Sequence, residues 1–315
     1  MRVVLARPRA EKSLALAILC PGQGGQYPAM FDLVAHSDAA LEIVASVDSD
    51  LADAIISADG IFANRVAQPL ICAATLARWE AIRGLLPRPM AVLGYSVGEL
   101  AAYAIANIFS NGDCIGLARV RAALMDDAAP PGSRLLAITG MRHEATARLC
   151  AACGASIAIV NGDAHYVVGG NDSAIDCIER EANAQGASVV RLRVAVPAHT
   201  PFVAAAADAF RDALAKVKLR APDLAVLAGV NGQLVRNADE AAALLASQIA
   251  TTVQWQRCCE HAIERGASVF LELGPGRALS RMISAEFPDI PARSLDEFGA
   301  LEGAAAWVRR SGLAG

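Results

Sequence analysis

Ser96 lies in the part of the sequence that most directly indicates chemistry, the Gly-Tyr-Ser-Val-Gly run at 94–98. The apolar residues 90–93 precede this run, and an Ala-rich, amphipathic stretch follows it to residue 106. That order predicts a strand, a sharp turn and a helix, which together form the nucleophile elbow that exposes a serine hydroxyl. The helix start would then offer free backbone N–H groups where an oxyanion develops. The chemistry indicated is nucleophilic attack by a serine, although a pattern that fixes only three positions also occurs by chance.

The Gly-rich segment at 21–26, Pro-Gly-Gln-Gly-Gly-Gln, is a second candidate for chemistry. It lacks the Gly-Lys-Ser/Thr of a phosphate-binding P-loop and the glycine spacing of a dinucleotide site. It therefore predicts a tight turn after a strand at 14–20, and this turn presents Gln23. An ordinary turn residue is the alternative interpretation of Gln23.

Arg121 and His199 are candidates whose sequence context leaves two interpretations open. Arg121 shares an apolar face with Leu117 and Leu124 of a predicted helix at 114–126. A buried guanidinium without an anion is costly, so Arg121 should have a partner. The position of Arg121 alone favours an internal salt bridge, or a side chain that reaches the surface, rather than a bound anion. His199 follows a proline turn and fits a structural or a catalytic role equally well.

The composition restricts the class of protein. With 315 residues, 55% of them hydrophobic and 19% charged, the chain is predicted to be globular, with one large domain carrying an insertion or with two domains. A net charge of -4 and the lack of any block of Lys and Arg argue against nucleic-acid binding. The apolar run at 14–20 is too short to span a membrane and has no cleavage pattern behind it. It is interpreted as a first strand after a basic leader.

The eight cysteines are scattered along the chain. Without a secretory signal they are predicted to be reduced thiols of a cytoplasmic protein. Cys150 and Cys153 form a Cys-x-x-Cys pair, but no second pair or nearby His completes a zinc site. We therefore expect no bound metal, and no membrane or nucleic-acid partner.

The remaining patterns predict an α/β fold with an inserted subdomain. Helical patterns cover 38–86, with polar punctuation near 57–60, and strand and helix patterns alternate from residue 134 to residue 194. Their order, βαββαβ, is that of a ferredoxin-like unit, and it lies between two Pro-bearing junctions. Further helices follow, including one at 238–248, before a strand at 269–273 that ends in Gly-Pro-Gly.

Six motifs together resemble those of the malonyl-CoA:acyl-carrier-protein transacylase family. They are PGQGGQ at 21–26, GYSVGE at 94–99, RVRAALM around Arg121, VPAH at 196–199, TVQW at 252–255 and ELGPG at 272–276, in the family's order. The resemblance implies an α/β-hydrolase-like large domain at 1–130 and 197–315 with a ferredoxin-like subdomain at 131–196. It also implies malonyl transfer from malonyl-CoA to the thiol of an acyl carrier protein through a malonyl-serine intermediate, without a bound cofactor.

The resemblance also implies roles for individual residues. Ser96 corresponds to the nucleophile, and His199 to the general base that a backbone carbonyl, assigned here to Gln254, orients. The backbone N–H groups of Gln23 and Val97 correspond to the oxyanion hole.

Arg121 corresponds in this family to the residue that binds the free carboxylate of malonate, which reverses the preference for a structural arginine. Two residues depart from the family pattern. Tyr95 replaces a His before the nucleophile, and Gly25 replaces a Ser.

The segment at 290–310, together with Tyr95, resembles the malonate decarboxylase epsilon subunit branch. The alternatives are a transacylase of fatty-acid or polyketide synthesis, an acyl-thioester hydrolase and a non-catalytic docking module.

Overall fold

A computed structural model of the protein describes residues 14–47 and 60–311. The strands among them are β1 (Leu16–Cys20), β2 (Ala91–Gly94), β3 (Ser133–Thr139), β4 (Ser156–Gly162), β5 (His165–Asn171), β6 (Ser188–Arg191), β7 (Val226–Leu227), β8 (Val269–Glu272) and β9 (Ala292–Ser294). The helices are α1 (Asp38–Ala45), α2 (Asn64–Ile82), α3 (Gly98–Ile105), α4 (Asn111–Ala128), α5 (His143–Cys153), α6 (Asp172–Ala184), α7 (Ala204–Leu214), α8 (Ala238–Gln248), α9 (Trp255–Glu264), α10 (Ala278–Glu286) and α11 (Leu301–Ser311). The predicted basic leader and most of the punctuation at 57–60 lie outside the described residues.

A parallel sheet positions the motifs of the large domain. Its strand order is β7-β2-β1-β8-β9. The strands β1, β2 and β8 are buried along their whole length, and all their residues are apolar or glycine except Glu272. Such continuous burial is expected of parallel strands that are covered on both faces. The pairing sets Cys20 beside Gly94 and Leu19 beside Glu272. The carboxyl ends of these strands therefore bring the segments at 21–26, 94–98 and 272–276 to one edge of the sheet.

A second, antiparallel sheet has the order β4-β5-β3-β6. With α5 and α6 it completes the βαββαβ order, so the predicted α/β fold with a ferredoxin-like insert is confirmed. Successive side chains of β3 point to opposite faces of this sheet. Leu136 and Ile138 pack in a separate small core, whereas Leu135 joins the main core. The domain boundaries at 1–130, 131–196 and 197–315 stay a prediction.

Several predicted element bounds differ from those observed. Helix α4 begins at Asn111, before the predicted start at residue 114, because Ser110 and Asp113 form a capping box there. β6 ends at Arg191, before the predicted end at residue 194, although the backbone N–H of Leu192 still donates to the oxygen of Leu135 on β3. α8 has the predicted bounds.

The prediction that all eight cysteines are free thiols is wrong for two of them. Cys153, the last residue of α5, is bonded to Cys177 on α6, with the two Cα atoms 5.8 Å apart. The other six cysteines are buried and free. Among residues 14–47 and 60–311, no helix is long and apolar enough to cross a membrane, and no group of three His, Cys, Asp or Glu side chains is arranged to hold a metal.

Candidate active site

Ser96 lies in a sharp turn between β2 and α3, as the sequence predicts. Its φ angle of 54° falls in the left-handed region, which is rare for a residue with a side chain. A Cβ on Gly98 would collide with the backbone oxygens of Cys20 and Pro21, and a Cβ on Gly94 would collide with the backbone of Glu99. The glycines therefore allow the close packing that holds Ser96 in this strained position.

His199 forms a dyad with Ser96, although 103 positions separate the two residues in the sequence. The Ser96 Oγ and the His199 Nε2 are 2.8 Å apart. The His199 Nδ1 lies 2.6 Å from the backbone oxygen of Gln248. Because a carbonyl oxygen only accepts, Nδ1 carries the proton and Nε2 is the free acceptor that faces the serine. The dyad therefore has the tautomer that a general base needs.

The carbonyl that orients His199 belongs to Gln248, so the assignment of Gln254 to this role is wrong. Gln254 is the N-cap residue before α9, and its backbone N–H donates to the oxygen of Gly229. Its side chain lines a different cavity, together with Arg142 and His143. Gln248 is the last residue of α8, and its oxygen is free because the last carbonyls of a helix have no intrahelical partner.

The environment keeps His199 neutral. The imidazole is only 1% exposed, and burial lowers its pKa to about 3, with the positive charge of Arg121 acting in the same direction and the bond to Gln248 against it. A histidine with this pKa is unprotonated at neutral pH. It can therefore accept the Ser96 proton as soon as the serine attacks.

Arg121 lies in the same cavity as Ser96, on the buried face of α4. Its side chain donates to two neutral amide oxygens, Oε1 of Gln68 at 2.6 Å and Oε1 of Gln248 at 3.0 Å. Burial lowers its pKa to about 10, so the guanidinium remains charged at neutral pH. No carboxylate in the described part of the chain forms an ion pair with it, and the internal salt bridge that position alone favoured is not found.

Amide side chains hold the other side of the cavity. Gln23 and Gln68 both donate to the Oδ1 of Asn64, at 2.7 and 2.8 Å, and Asn64 donates to Asp126 on α4. This network links the Gly-rich turn to Arg121. No sequence pattern indicates Asn64, Gln68 or Gln248 as site residues, because isolated amides within helices match no catalytic pattern.

The cavity beside Ser96 has a volume of about 50 Å³. Its apolar wall includes Leu135, Ile159 and Val167 from the antiparallel sheet. This wall is extended by Leu192 and Val194, which follow β6 in the sequence. Ser96, His199 and Arg121 all line this space.

Tyr95 connects the elbow to the antiparallel sheet. Its hydroxyl donates to Oδ1 of Asn161 on β4 at 3.1 Å, and its ring packs edge-on against Trp255. Burial raises the pKa of this hydroxyl, which stays protonated. The residue that departs from the family pattern thus contributes to the site as a neutral hydrogen-bond donor.

A serine–histidine pair at the carboxyl edge of a parallel sheet, beside a cavity, is the arrangement typical of enzymes that transfer or hydrolyse acyl groups. The acyl transferase domain family matches residues 18–293. The chain belongs to this family, and it is an acyltransferase related to the malonyl-CoA:acyl-carrier-protein transacylases.

Transacylases of two bacteria match along almost their whole length. A malonyl CoA-acyl carrier protein transacylase of Mycobacterium bovis is 33% identical over 89% of this chain and 96% of its own. One of Escherichia coli K12 is 28% identical over 91% of this chain and 98% of its own. The crystal structure of FabD from Acinetobacter baumannii superposes with a TM-score of 0.88 at 26% identity, covering 95% of this chain and 99% of its own.

Proposed function

We propose that this protein transfers a malonyl group from malonyl-CoA to the thiol of an acyl carrier protein, with a malonyl ester on Ser96 as the intermediate. The observation that carries the proposal is Arg121, a buried cation that faces the acyl cavity and bonds only to neutral amides among the described residues. Its remaining N–H groups suit a carboxylate at the end of a short acyl chain. The names of the relatives support the same substrates.

The first half-reaction would acylate Ser96. His199 Nε2 takes the hydroxyl proton as the oxygen attacks the thioester carbon, and the C–S bond breaks. The imidazolium returns the proton to the sulfur, so coenzyme A leaves as a free thiol.

The backbone N–H groups of Gln23 and Val97 would stabilise the oxyanion. Neither group donates to an acceptor in the described part of the chain. Val97 directly follows the nucleophile, at the N-terminus of α3, where such a donor is expected. Each donor of this kind contributes about 3 kcal/mol to transition-state stability.

The second half-reaction would use the same groups. The carrier thiol gives its proton to His199 and attacks the ester, and Ser96 leaves with that proton. Arg121 would hold the malonyl carboxylate through both steps, which keeps the acyl group in place while coenzyme A and the carrier exchange.

We further propose, as the finer assignment, that the acceptor is the modified carrier protein of malonate decarboxylase and that the chain is its epsilon subunit, acting in the cytoplasm. The support for it is the sequence at 290–310 and Tyr95, which lines the cavity and whose hydroxyl donates to Asn161. Fatty-acid or polyketide carrier proteins are the alternative acceptors.

Intact-mass spectrometry after mixing with malonyl-CoA tests the proposal. We expect one malonyl adduct, localised to Ser96, that disappears when a carrier thiol is added. Absence of the adduct from folded wild-type protein would contradict the proposal. An adduct lost to water as fast as to the carrier would identify a thioester hydrolase.

Comparing both types of carrier protein tests the finer assignment. We expect faster malonyl transfer to the malonate decarboxylase carrier than to a fatty-acid carrier. Equal use of the two would refute the assignment to the epsilon subunit. A Ser96→Ala protein that kept the cellular activity would instead support a docking module.

A further inference from the structure

Gln248 is the residue at which the two halves of the site meet. Its backbone oxygen accepts from His199, and its side-chain Oε1 accepts from Arg121. Its Nε2 donates to the backbone oxygen of Ser96 at 3.0 Å and to the carboxylate of Glu99 at 2.5 Å. One residue thus contacts the backbone of Ser96, the imidazole of His199 and the guanidinium of Arg121.

The orientation of this amide is determined by its neighbours. The Ser96 carbonyl and the Glu99 carboxylate present acceptors, whereas the guanidinium of Arg121 presents only donors. The NH₂ end must therefore point to Glu99 and the oxygen end to Arg121. A flipped amide would set oxygen against oxygen on one side and N–H against N–H on the other.

Glu99 occupies a place built around its side chain. It is fully buried on the first turn of α3, and its Oε2 also accepts from the backbone N–H of Gly229 at 3.1 Å. A Cβ on Gly229 would lie 2.6 Å from that oxygen. A glutamate that only stabilised the helix dipole could stay in solvent, so its burial against Gln248 needs another explanation.

The second carboxylate oxygen, Oε1, makes no hydrogen bond of standard geometry in the described part of the chain, although the hydroxyl of Tyr103 interacts with this carboxylate. Burial raises the pKa of Glu99 to about 7, while the bonds from Gln248 and Gly229 act in the opposite direction. A proton taken up on Oε1 leaves Oε2 as the acceptor for Gln248. Glu99 can therefore hold the amide in either protonation state.

We propose that Glu99 is a positioning residue, which fixes the Gln248 amide so that its oxygen orients Arg121 towards the acyl carboxylate. The inference rests on the proposed malonyl function and deepens it by giving a role to a residue that the reaction steps do not use. Its effect is on the choice of acyl group, because the backbone carbonyl that orients His199 does not depend on which way the amide points.

The test compares Glu99→Met with Glu99→Gln. We would measure the rate of Ser96 acylation by malonyl-CoA and by acetyl-CoA, which lacks the carboxylate, with intact-mass detection. Glu99→Met removes the acceptor, and we expect the malonyl-to-acetyl ratio to fall about ten-fold, the effect of losing one orienting hydrogen bond to a charged group. Glu99→Gln keeps an oxygen for Gln248, and we expect it to retain most of the ratio.

Glu272 provides the matched control. It is also fully buried, and its carboxylate accepts from two backbone N–H groups, those of Leu279 and Ser280, away from the cavity. Glu272→Met should lower thermal stability and leave the acyl ratio unchanged. If Glu272→Met reduced the ratio as Glu99→Met does, the effect would be one of general destabilisation and the proposal would be overturned.

A double-mutant cycle with Gln248→Met decides whether Glu99 acts through Gln248. We expect Glu99→Met to cause no further loss of the ratio in the Gln248→Met background. Additive losses, or an unchanged ratio in Glu99→Met alone, would overturn the proposal. Wild-type protein that formed no malonyl adduct would instead refute the proposed function, so the two failures are distinguishable.

Discussion

Replacing Arg121 by methionine tests the carboxylate-binding role most directly. Methionine keeps much of the length of the side chain and removes its charge and donors. Arg121 is 1% exposed, and its two bonds to Gln68 and Gln248 leave other N–H groups available for a carboxylate. Two charge-assisted hydrogen bonds at about 1.5–3 kcal/mol each amount to about 3–6 kcal/mol, or roughly 10²- to 10⁴-fold in kcat/KM for malonyl-CoA.

Acetyl-CoA should respond in the opposite direction. It has no carboxylate to lose, and the charge of Arg121 depresses the pKa of His199. Removing that charge makes His199 a stronger base. We therefore expect Arg121→Met to acylate Ser96 with acetyl-CoA at least as fast as the wild type does.

The assay is a time course of acyl-enzyme formation by intact mass, with each acyl-CoA in turn. Arg78→Met is the matched control, because Arg78 is also fully buried but is paired with Asp296 at 2.6 Å, outside the cavity. It should lower stability without changing the malonyl-to-acetyl ratio. If Arg121→Met slowed both substrates equally, or left malonyl transfer intact, the assignment of Arg121 would be refuted.

Three further predictions concern stability. Burial raises the pKa of Glu272 from 4.5 to about 7, so its stabilising contribution is present below pH 4.5 and lost as the pH rises to 7. Glu272→Gln should therefore remove about 3 kcal/mol of pH dependence from the free energy of unfolding, measured in urea. Parallel pH profiles of the two proteins would contradict this prediction. Cys177→Ser should lower the free energy of unfolding by about 3 kcal/mol under non-reducing conditions, because it opens the loop that the bond to Cys153 closes. An equal loss under reducing conditions would show that the disulfide is not the cause. Gly98→Ala should lower the thermal midpoint by several degrees, because its Cβ meets the backbone of Cys20; an unchanged midpoint would show that the elbow can relax.

Local chemistry determined how much of this molecule could be predicted from sequence. The strand, turn and helix around Ser96 follow from an apolar run and two glycines, which act over a few residues. The βαββαβ order is likewise a local pattern. The bond between Cys153 and Cys177 depends on how α5 and α6 pack, and spacing in the sequence does not contain that information.

The orienting carbonyl shows the same limit within the active site. A backbone oxygen has no residue type of its own, so a sequence motif can only suggest where it lies. The TVQW motif pointed to Gln254, whereas the acceptor is at the end of the preceding helix, at Gln248. That position depends on where α8 ends against His199, which is a property of the packed fold.

Part of the cavity wall comes from the antiparallel sheet, whereas Ser96 follows a strand of the parallel sheet. Leu135 and Val167 project from the antiparallel sheet into the main core beside the cavity, whereas the other face of that sheet packs in its own small core. Side chains on the cavity face of this sheet can therefore change in size while the small core on its other face keeps its packing. Natural variation or design could therefore alter the length and branching of the acyl group by substitutions on one sheet face, with the reaction chemistry left intact.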